Sequence, residues 1–458
     1  MDRPTRYKLL HSQVMVTYMR RFTIHNQSTQ ISASMLFEEA FDFDLLTRAL
    51  NVEIARNDCM RLRLVRTLSG TKQYFLPSYK ITSVPFYRFS SDAERDRVLD
   101  REAAKALNVY GGETYSIIFY VNADGRSGIF LRVTHFVMDA AATFTFYRDL
   151  LAVYDSLKDG TPMPRPLTRF EDVIKKEVED ADLPAKLAVV REKVKERLYP
   201  DKPPFFCAPN GPKLIERDRK LLLQPNLTVP MAYAPFRDKT NFLKLRLSEA
   251  DSEKIAAFVK ENRLSAEWVI QLGMRLALSA ANDRVNDSVF LVLCPRRRTV
   301  AEKRCGGEMA SPMAWREILD ESETFREGLK RLSVSQLELF RLADIPTPEL
   351  RKIEGEIFGH LPVQCCASMM FSFLPLEPDA MGGRAFEYVG ANFGHYIMPL
   401  YVITIKDPKS GRYVFSYVHR LSQTTDAEIE DFHNRVVKAI LLGVEDPERT
   451  LGDILDSI

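Results

Sequence analysis

Val133-Thr134-His135-Phe136-Val137-Met138-Asp139-Ala140 is the stretch on which the reading of this chain turns. An imidazole exchanges protons near neutral pH, and a carboxylate four residues on can hold the local turn by pairing elsewhere. Upstream, Tyr115 to Val121 and Gly128 to Thr134 are apolar runs separated by Asn122-Ala123-Asp124-Gly125. The Asp-Gly step predicts a hairpin, so the second strand runs straight into His135. Downstream, Phe144, Tyr147, Leu151 and Tyr154 recur at helical spacing. His135 therefore lies in the turn between a core strand and a helix, a position where loops carry function more often than strands do.

The surrounding chain has 458 residues, enough for about two or three ordinary domains. Hydrophobic residues make up 45% and charged residues 28%, the balance of a globular protein. Lys+Arg 64 against Asp+Glu 62 leaves a net charge of +2, which gives no global field for nucleic acid or an anionic membrane. Met1-Asp2-Arg3-Pro4-Thr5-Arg6 lacks the apolar core of a secretion signal. The segment from Trp268 to Ala281 is too short to span a bilayer and is cut by Arg275. A cytoplasmic protein without an integral membrane segment is expected. Cysteines stand at 59, 207, 294, 305, 365 and 366 with no Cys-x-x-Cys, so reduced buried thiols are expected and no metal site. No Gly-rich phosphate loop of the Walker or dinucleotide type is present.

Periodicity assigns both strands and helices. Phe43 to Ala55 reads as a helix, and Met60 to Val65 as a half-buried strand with Arg61 and Arg63 on one face. Leu183 to Leu198 is a charged helix. Pro200 to Pro235 holds eight of the 25 prolines and reads as an extended connector. Beyond it, Phe242 to Leu247 alternates like a strand, and Ser248 and Ser265 each open a helix. Ser288 to Leu293 is a buried strand. Thr425-Asp426-Ala427-Glu428 has capping-box spacing ahead of the stripe Ile429, Phe432, Val436 and Ile440. The expectation is an α+β chain with an N-terminal lobe over residues 1–180, a helix and Pro-rich connector over 181–240, and a C-terminal lobe over 241–458. Clefts between lobes commonly hold active sites.

His-x-x-x-Asp alone arises by chance about once in every two chains with this many histidines and acids. Its context carries more. A strand, His-x-x-x-Asp, the small residues Ala140-Ala141-Ala142 and an amphipathic helix resemble the active-site segment of condensation-domain and chloramphenicol acetyltransferase-like acyltransferases, whose motif is His-His-x-x-x-Asp-Gly. Arg56-Asn57-Asp58-Cys59-Met60-Arg61-Leu62-Arg63-Leu64 resembles that family's Arg-His-Glu-x-Leu-Arg-Thr-x-Phe. Phe170-Glu171-Asp172-Val173 is similar to its Tyr-x-Asp-Phe/Tyr. Gly307-Glu308-Met309-Ala310-Ser311-Pro312-Met313-Ala314-Trp315-Arg316 is similar to its Gly-x-Phe-Val-Asn-Thr stretch, and the tail through Asp446-Pro447-Glu448 to Ile454 is similar to how such domains end. Thr134 replaces the first histidine and Ala140 the glycine, which leans toward alcohol acyltransferases and ester-forming stand-alone relatives. Ser311 stands where the family has Asn. Ala391-Asn392-Phe393-Gly394 is similar to the Ser-Asn-Leu-Gly of alcohol-acetyltransferase-like members.

The resemblance implies two chloramphenicol acetyltransferase-like lobes in a V-shape with the active site between them. It implies acyl transfer from a thioester, either acyl-coenzyme A or a carrier-protein phosphopantetheine, to a hydroxyl or amine of a small-molecule acceptor. No tightly bound cofactor and no metal are expected, and an acyl or peptidyl carrier protein is a possible partner. His135 would be the general base. Asp139 would brace the loop through an ion pair with Arg61, since a carboxylate in direct contact would raise the imidazole's pKa. Backbone N–H groups after His135, that of Ala140 among them, and the side chains of Ser311 or Asn392 are candidates to meet the oxyanion. His395 is a candidate second histidine. Arg296-Arg297-Arg298 with Lys303-Arg304 would meet phosphates or an acidic carrier, or form a solvated loop. Two alternatives stay open: an amide-forming condensation protein of nonribosomal peptide synthesis, and a catalytically inactive relative that binds a carrier or partner.

Overall fold

The computed structural model describes residues 4–198, 206–231, 236–358, 364–374, 376 and 381–458. The chain folds as two compact units. The first comprises Met1–Lys186, Pro295–Ser311 and Leu376–Gly394, and the second Leu187–Cys294, Pro312–Pro375 and His395–Ile458. Two late segments thus return to the first unit.

In the first unit a five-stranded sheet runs, edge to edge, Phe386–Gly390, Gln30–Phe37, Ser127–Thr134, Tyr115–Val121, Phe86–Arg88. Only the last pair is parallel. Every residue of the central strand Ser127–Thr134 is buried, because both faces are covered. Leu36, Ile118, Tyr120 and Phe130 pack on Val98, Leu99 and Ala103 of the helix Asp92–Ala103. Alternate residues face the other way: Phe119 meets Phe43, and Phe37 meets Phe41, which meets Tyr154. Those partners begin the helix Phe43–Arg56 and lie on the helix Ala140–Asp159, as periodicity predicts. Gly128 stands opposite Tyr120, where a Cβ would fall 2.0 Å from the ring. The Asp-Gly hairpin closes with Asn122 N–H donating to Arg126 O at 2.8 Å and Gly125 at φ +86°.

The strand expected from Met60 begins only at Leu62 and pairs with Gly70–Phe75. Asp58–Arg61 form a single 3-10 turn. The Asp58 carboxylate accepts from the N–H groups of Phe170 and Glu171 at 2.9 and 3.0 Å, capping the helix Phe170–Val178 and holding this turn. Arg61 and Arg63 therefore do not share a strand face. Arg63 is buried, donates to Leu62 O at 2.8 Å and stacks 4.8 Å above the Tyr79 ring.

In the second unit a six-stranded sheet runs Thr240–Arg246, Tyr413–Arg420, Leu400–Lys406, Met369–Leu374, Asp287–Cys294, Ser311–Ile318. Ser248 caps its helix by accepting from Asp251 N–H, Ser265 from Glu267 N–H, and Thr425 forms the predicted capping box with Glu428. Ile429, Phe432, Val436 and Ile440 are all buried, since the 3.6-residue period puts them on one stripe. The helix Leu183–Leu198 has the predicted bounds. Of the connector's prolines, Pro200, Pro203, Pro204 and Pro235 lie outside the described residues. The described part is not extended throughout: Pro212 starts the helix Lys213–Leu222, which packs Leu214 and Ile215 on Phe206 and Ala208. All six cysteines are buried. No helix among the described residues is long and apolar enough to cross a membrane.

Candidate active site

The turn after the central strand is fixed by its own backbone. His135 N–H donates to Thr29 O at 3.0 Å, and Val137 N–H to Thr134 O at 2.9 Å. Phe136, Val137 and Met138 are buried, which anchors the loop on both sides of the imidazole. Thr134, at the place of the resembling family's first histidine, is buried in the sheet opposite Gln30.

Asp139 ends the turn as the N-cap of the helix Ala140–Asp159. Its side chain is only 2% exposed, and both oxygens are taken. Oδ1 accepts from Ala142 N–H at 2.7 Å and from Arg297 Nη2 at 2.9 Å. Oδ2 accepts from the N–H groups of Met309 and Ala310 at 2.8 and 3.1 Å. The same Arg297 nitrogen donates to Gly307 O at 2.8 Å, so one carboxylate and one guanidinium clamp the segment 307–310 to the turn.

Arg61, expected to be the partner of Asp139, is not. Its guanidinium donates to the carbonyls of Ile54, Ala55, Leu76 and Pro77. The first two belong to the last turn of the helix Phe43–Arg56, whose carbonyls find no N–H donor within the helix and attract a cation. Arg297 takes the place assigned to Arg61. It is 5% exposed, so neither a solvated loop nor a surface phosphate contact describes it. Arg296 is held by Glu177 at 2.9 Å, and Arg304 donates to Pro166 O at 2.6 Å.

The imidazole has a partner that sequence reasoning missed. His135 Nδ1 lies 2.9 Å from Oε2 of Glu308, a side chain with 0% exposure, while the His135 side chain is 25% exposed. Glu308 Oε1 accepts from Ala310 N–H at 2.9 Å. The Glu308 backbone is held too: its N–H donates to Val137 O at 3.0 Å, and its carbonyl accepts from Ser12 Oγ at 3.0 Å. Burial pushes the Glu308 carboxyl up to about 7, and the nearby Asp139 charge pushes the same way, against His135 and Arg297. A glutamate within Gly306-Gly307-Glu308-Met309-Ala310, a stretch with no other charge, was the signal available in the sequence.

The remaining candidates divide. Ser311 is buried and follows Ala310 directly, at the start of a strand. Ala140 is the first residue of the capped helix. Asn392 is occupied elsewhere: its Oδ1 accepts from Gly394 N–H at 2.8 Å, and its own N–H donates to Asp100 at 2.7 Å. His395 belongs to the second unit, where Nδ1 lies 2.9 Å from the buried Asp238. Gly307 fits against Phe170, whose ring a Cβ at 307 would meet at 2.2 Å. Arg56 pairs with Asp149 at 3.0 Å, tying the helices Phe43–Arg56 and Ala140–Asp159 together. In the second unit Arg316 pairs with Asp287 across the sheet edge at 2.6 Å.

The fold is that of condensation domains. The chain resembles the starter condensation domain of rhizomide synthetase solved with C8-CoA, with TM-score 0.81, 13% identity and 98% and 97% of the two chains covered. It resembles equally the first condensation domain of the calcium-dependent antibiotic synthetase, with TM-score 0.80, 16% identity and 98% of each chain covered. Residues 4–184 match the family model described as Condensation domain. The sequence is also similar to surfactin synthase subunit 1 of Bacillus subtilis (strain 168), 21% identical over 459 residues. That similarity covers 98% of this chain and only 12% of the subunit's length.

Proposed function

We propose that this protein transfers an acyl group from a thioester to a hydroxyl or amine, with His135 as general base. The observation that carries the reading is the hydrogen bond between His135 Nδ1 and buried Glu308 at 2.9 Å. With the proton on Nδ1, the Nε2 lone pair is left to accept the acceptor's proton as its oxygen or nitrogen attacks the thioester carbonyl. The tetrahedral intermediate collapses, the C–S bond breaks, and the imidazolium returns the proton to the departing thiolate. Ala140 and Ala141 open a 20-residue helix, whose positive end suits the developing oxyanion. Asp139 and Arg297 hold the loop and do not touch the reacting atoms.

The donor is an acyl thioester of coenzyme A or of a carrier-protein phosphopantetheine. A structural neighbour solved with C8-CoA supports the first, and the similarity to a surfactin synthase subunit supports the second. We place the reaction in the cytoplasm, with a small-molecule acceptor. Incubation with mixed acyl-coenzyme A thioesters and an acyl-loaded carrier, offered alcohol and amine acceptors and read by mass spectrometry, tests the proposal. Product is expected from the native protein and none from His135→Ala at a nearly unchanged melting temperature. Full activity of that variant would refute it. Thr134 and Ala140, in place of the histidine and glycine of the resembling motif, favour a second reading as a carrier-binding relative without activity. Tight binding of a loaded carrier with no product from any acceptor would decide for it.

A further inference from the structure

We infer that Glu308 is a positioning residue that fixes the tautomer of His135, keeping hydrogen on Nδ1 and the lone pair on Nε2, and that it balances the imidazolium formed when the base accepts a proton. This rests on the reading of His135 as base.

Geometry fixes which oxygen does what. Ala310 N–H can only donate, so Glu308 Oε1 must accept, and any proton on the carboxyl sits on Oε2, facing Nδ1. The carboxyl cannot turn away, because residue 308 is held at its N–H by Val137 and at its carbonyl by Ser12. With the carboxyl ionised, Oε2 accepts Nδ1–H and the imidazole is base-competent. With one more proton on the pair, Nε2 carries hydrogen in every arrangement and the base is off. The Glu308 proton therefore decides whether Nε2 is bare.

The charges nearby give the second half of the inference. Asp139 and Arg297 form an ion pair and cancel. Glu308 shares the Ala310 N–H with Asp139, so a second carboxylate is buried beside the first. In the base-competent state the cluster carries one uncompensated negative charge. Proton uptake at Nε2 removes it, so the low-dielectric surroundings favour the imidazolium that appears as the acceptor attacks. A carboxylate behind a catalytic imidazole acts by the same logic in hydrolytic triads.

The test reads the tautomer directly. In protein labelled with 15N-histidine, the chain's seven histidines give separate ring patterns, and His135 is the one lost in His135→Ala. Once Glu308 has lost its proton, native His135 is expected to show hydrogen on Nδ1 and a bare Nε2. In Glu308→Gln the amide oxygen keeps the Ala310 N–H, so the NH2 group faces Nδ1 and donates. The ring hydrogen then moves to Nε2, and kcat falls roughly 10²–10⁴-fold with KM little changed. Hydrogen on Nε2 in the native protein overturns the inference, whatever the activity. So does an unchanged tautomer in a folded Glu308→Gln. If that variant does not fold, the native spectrum decides alone. A native Nδ1–H tautomer with no acyl product from any donor upholds the role of Glu308 and refutes the acyl-transfer reading instead.

Discussion

Replacing Arg297 with methionine keeps the apolar stem of the side chain and removes the charge that faces Asp139. Three N–H donors remain on that carboxylate, from Ala142, Met309 and Ala310, so it is not left bare. The cost is then expected at the lower end for breaking a buried pair, about 3 kcal/mol. For a unit of this size that is a fall in melting temperature of roughly 6–12 °C. Asp139→Ala removes the helix cap, the clamp on 307–310 and the partner of a buried guanidinium, so it is expected to cost more, about 4–5 kcal/mol. Arg61→Met loses bonds to carbonyls that water can reach, and about 1 kcal/mol is expected. Urea denaturation of the singles and the two doubles completes the cycles. Asp139 and Arg297 should couple by about 2–4 kcal/mol, and Asp139 and Arg61 by less than about 0.5 kcal/mol. Coupling between Asp139 and Arg61 with none to Arg297 would refute the Asp139–Arg297 pair.

Gly307→Ala drives a methyl group into the Phe170 ring, and a destabilisation of about 1–3 kcal/mol is expected. Adding Phe170→Leu should recover part of it; thermal unfolding of both variants checks the contact. The logarithm of kcat/KM is expected to rise with pH at unit slope and level off above about 7, the raised value of Glu308, because Nε2 is bare only once Glu308 has lost its proton. A profile flat from pH 5 to 9 would contradict this. In the second unit, burial pushes Glu267 up to about 7 while Gln336 and Gln271 both donate to its Oε1. A carboxyl raised in the fold contributes stability below its ordinary pKa and loses it as pH rises through the folded value. Glu267→Gln keeps the acceptor oxygen and cannot ionise. Its stability relative to the native protein should therefore increase between about pH 4.5 and 7, by roughly 1–3 kcal/mol, measured by denaturation across that range.

The elements around the site were legible because their determinants are local. Alternation and an Asp-Gly step define the hairpin that delivers His135, and period and a cap define the helices after Asp139 and Thr425. The strand starts at Leu62 and not at Met60 for a reason outside the segment: Asp58 is recruited 112 residues away to cap the helix at Phe170, which bends 58–61 into a turn. The helix Lys213–Leu222 was hidden by the prolines around it, since Pro212 sits at its start, where a missing N–H costs nothing.

By itself, the sequence determined an α+β chain with a histidine at the end of a buried strand and an aspartate at the head of the next helix. Those facts follow from periods of two and 3.6 residues and from capping chemistry, which act over a few residues. Only the tertiary structure decided what the two side chains do, because their partners arrive from far along the chain: Arg297 stands 158 residues from Asp139, and Glu308 173 from His135. The segment 295–311 reaches the first unit by the path of the chain, and no local pattern records that path. Burial then turns those meetings into chemistry, pairing one carboxylate with a guanidinium and setting the other against an imidazole.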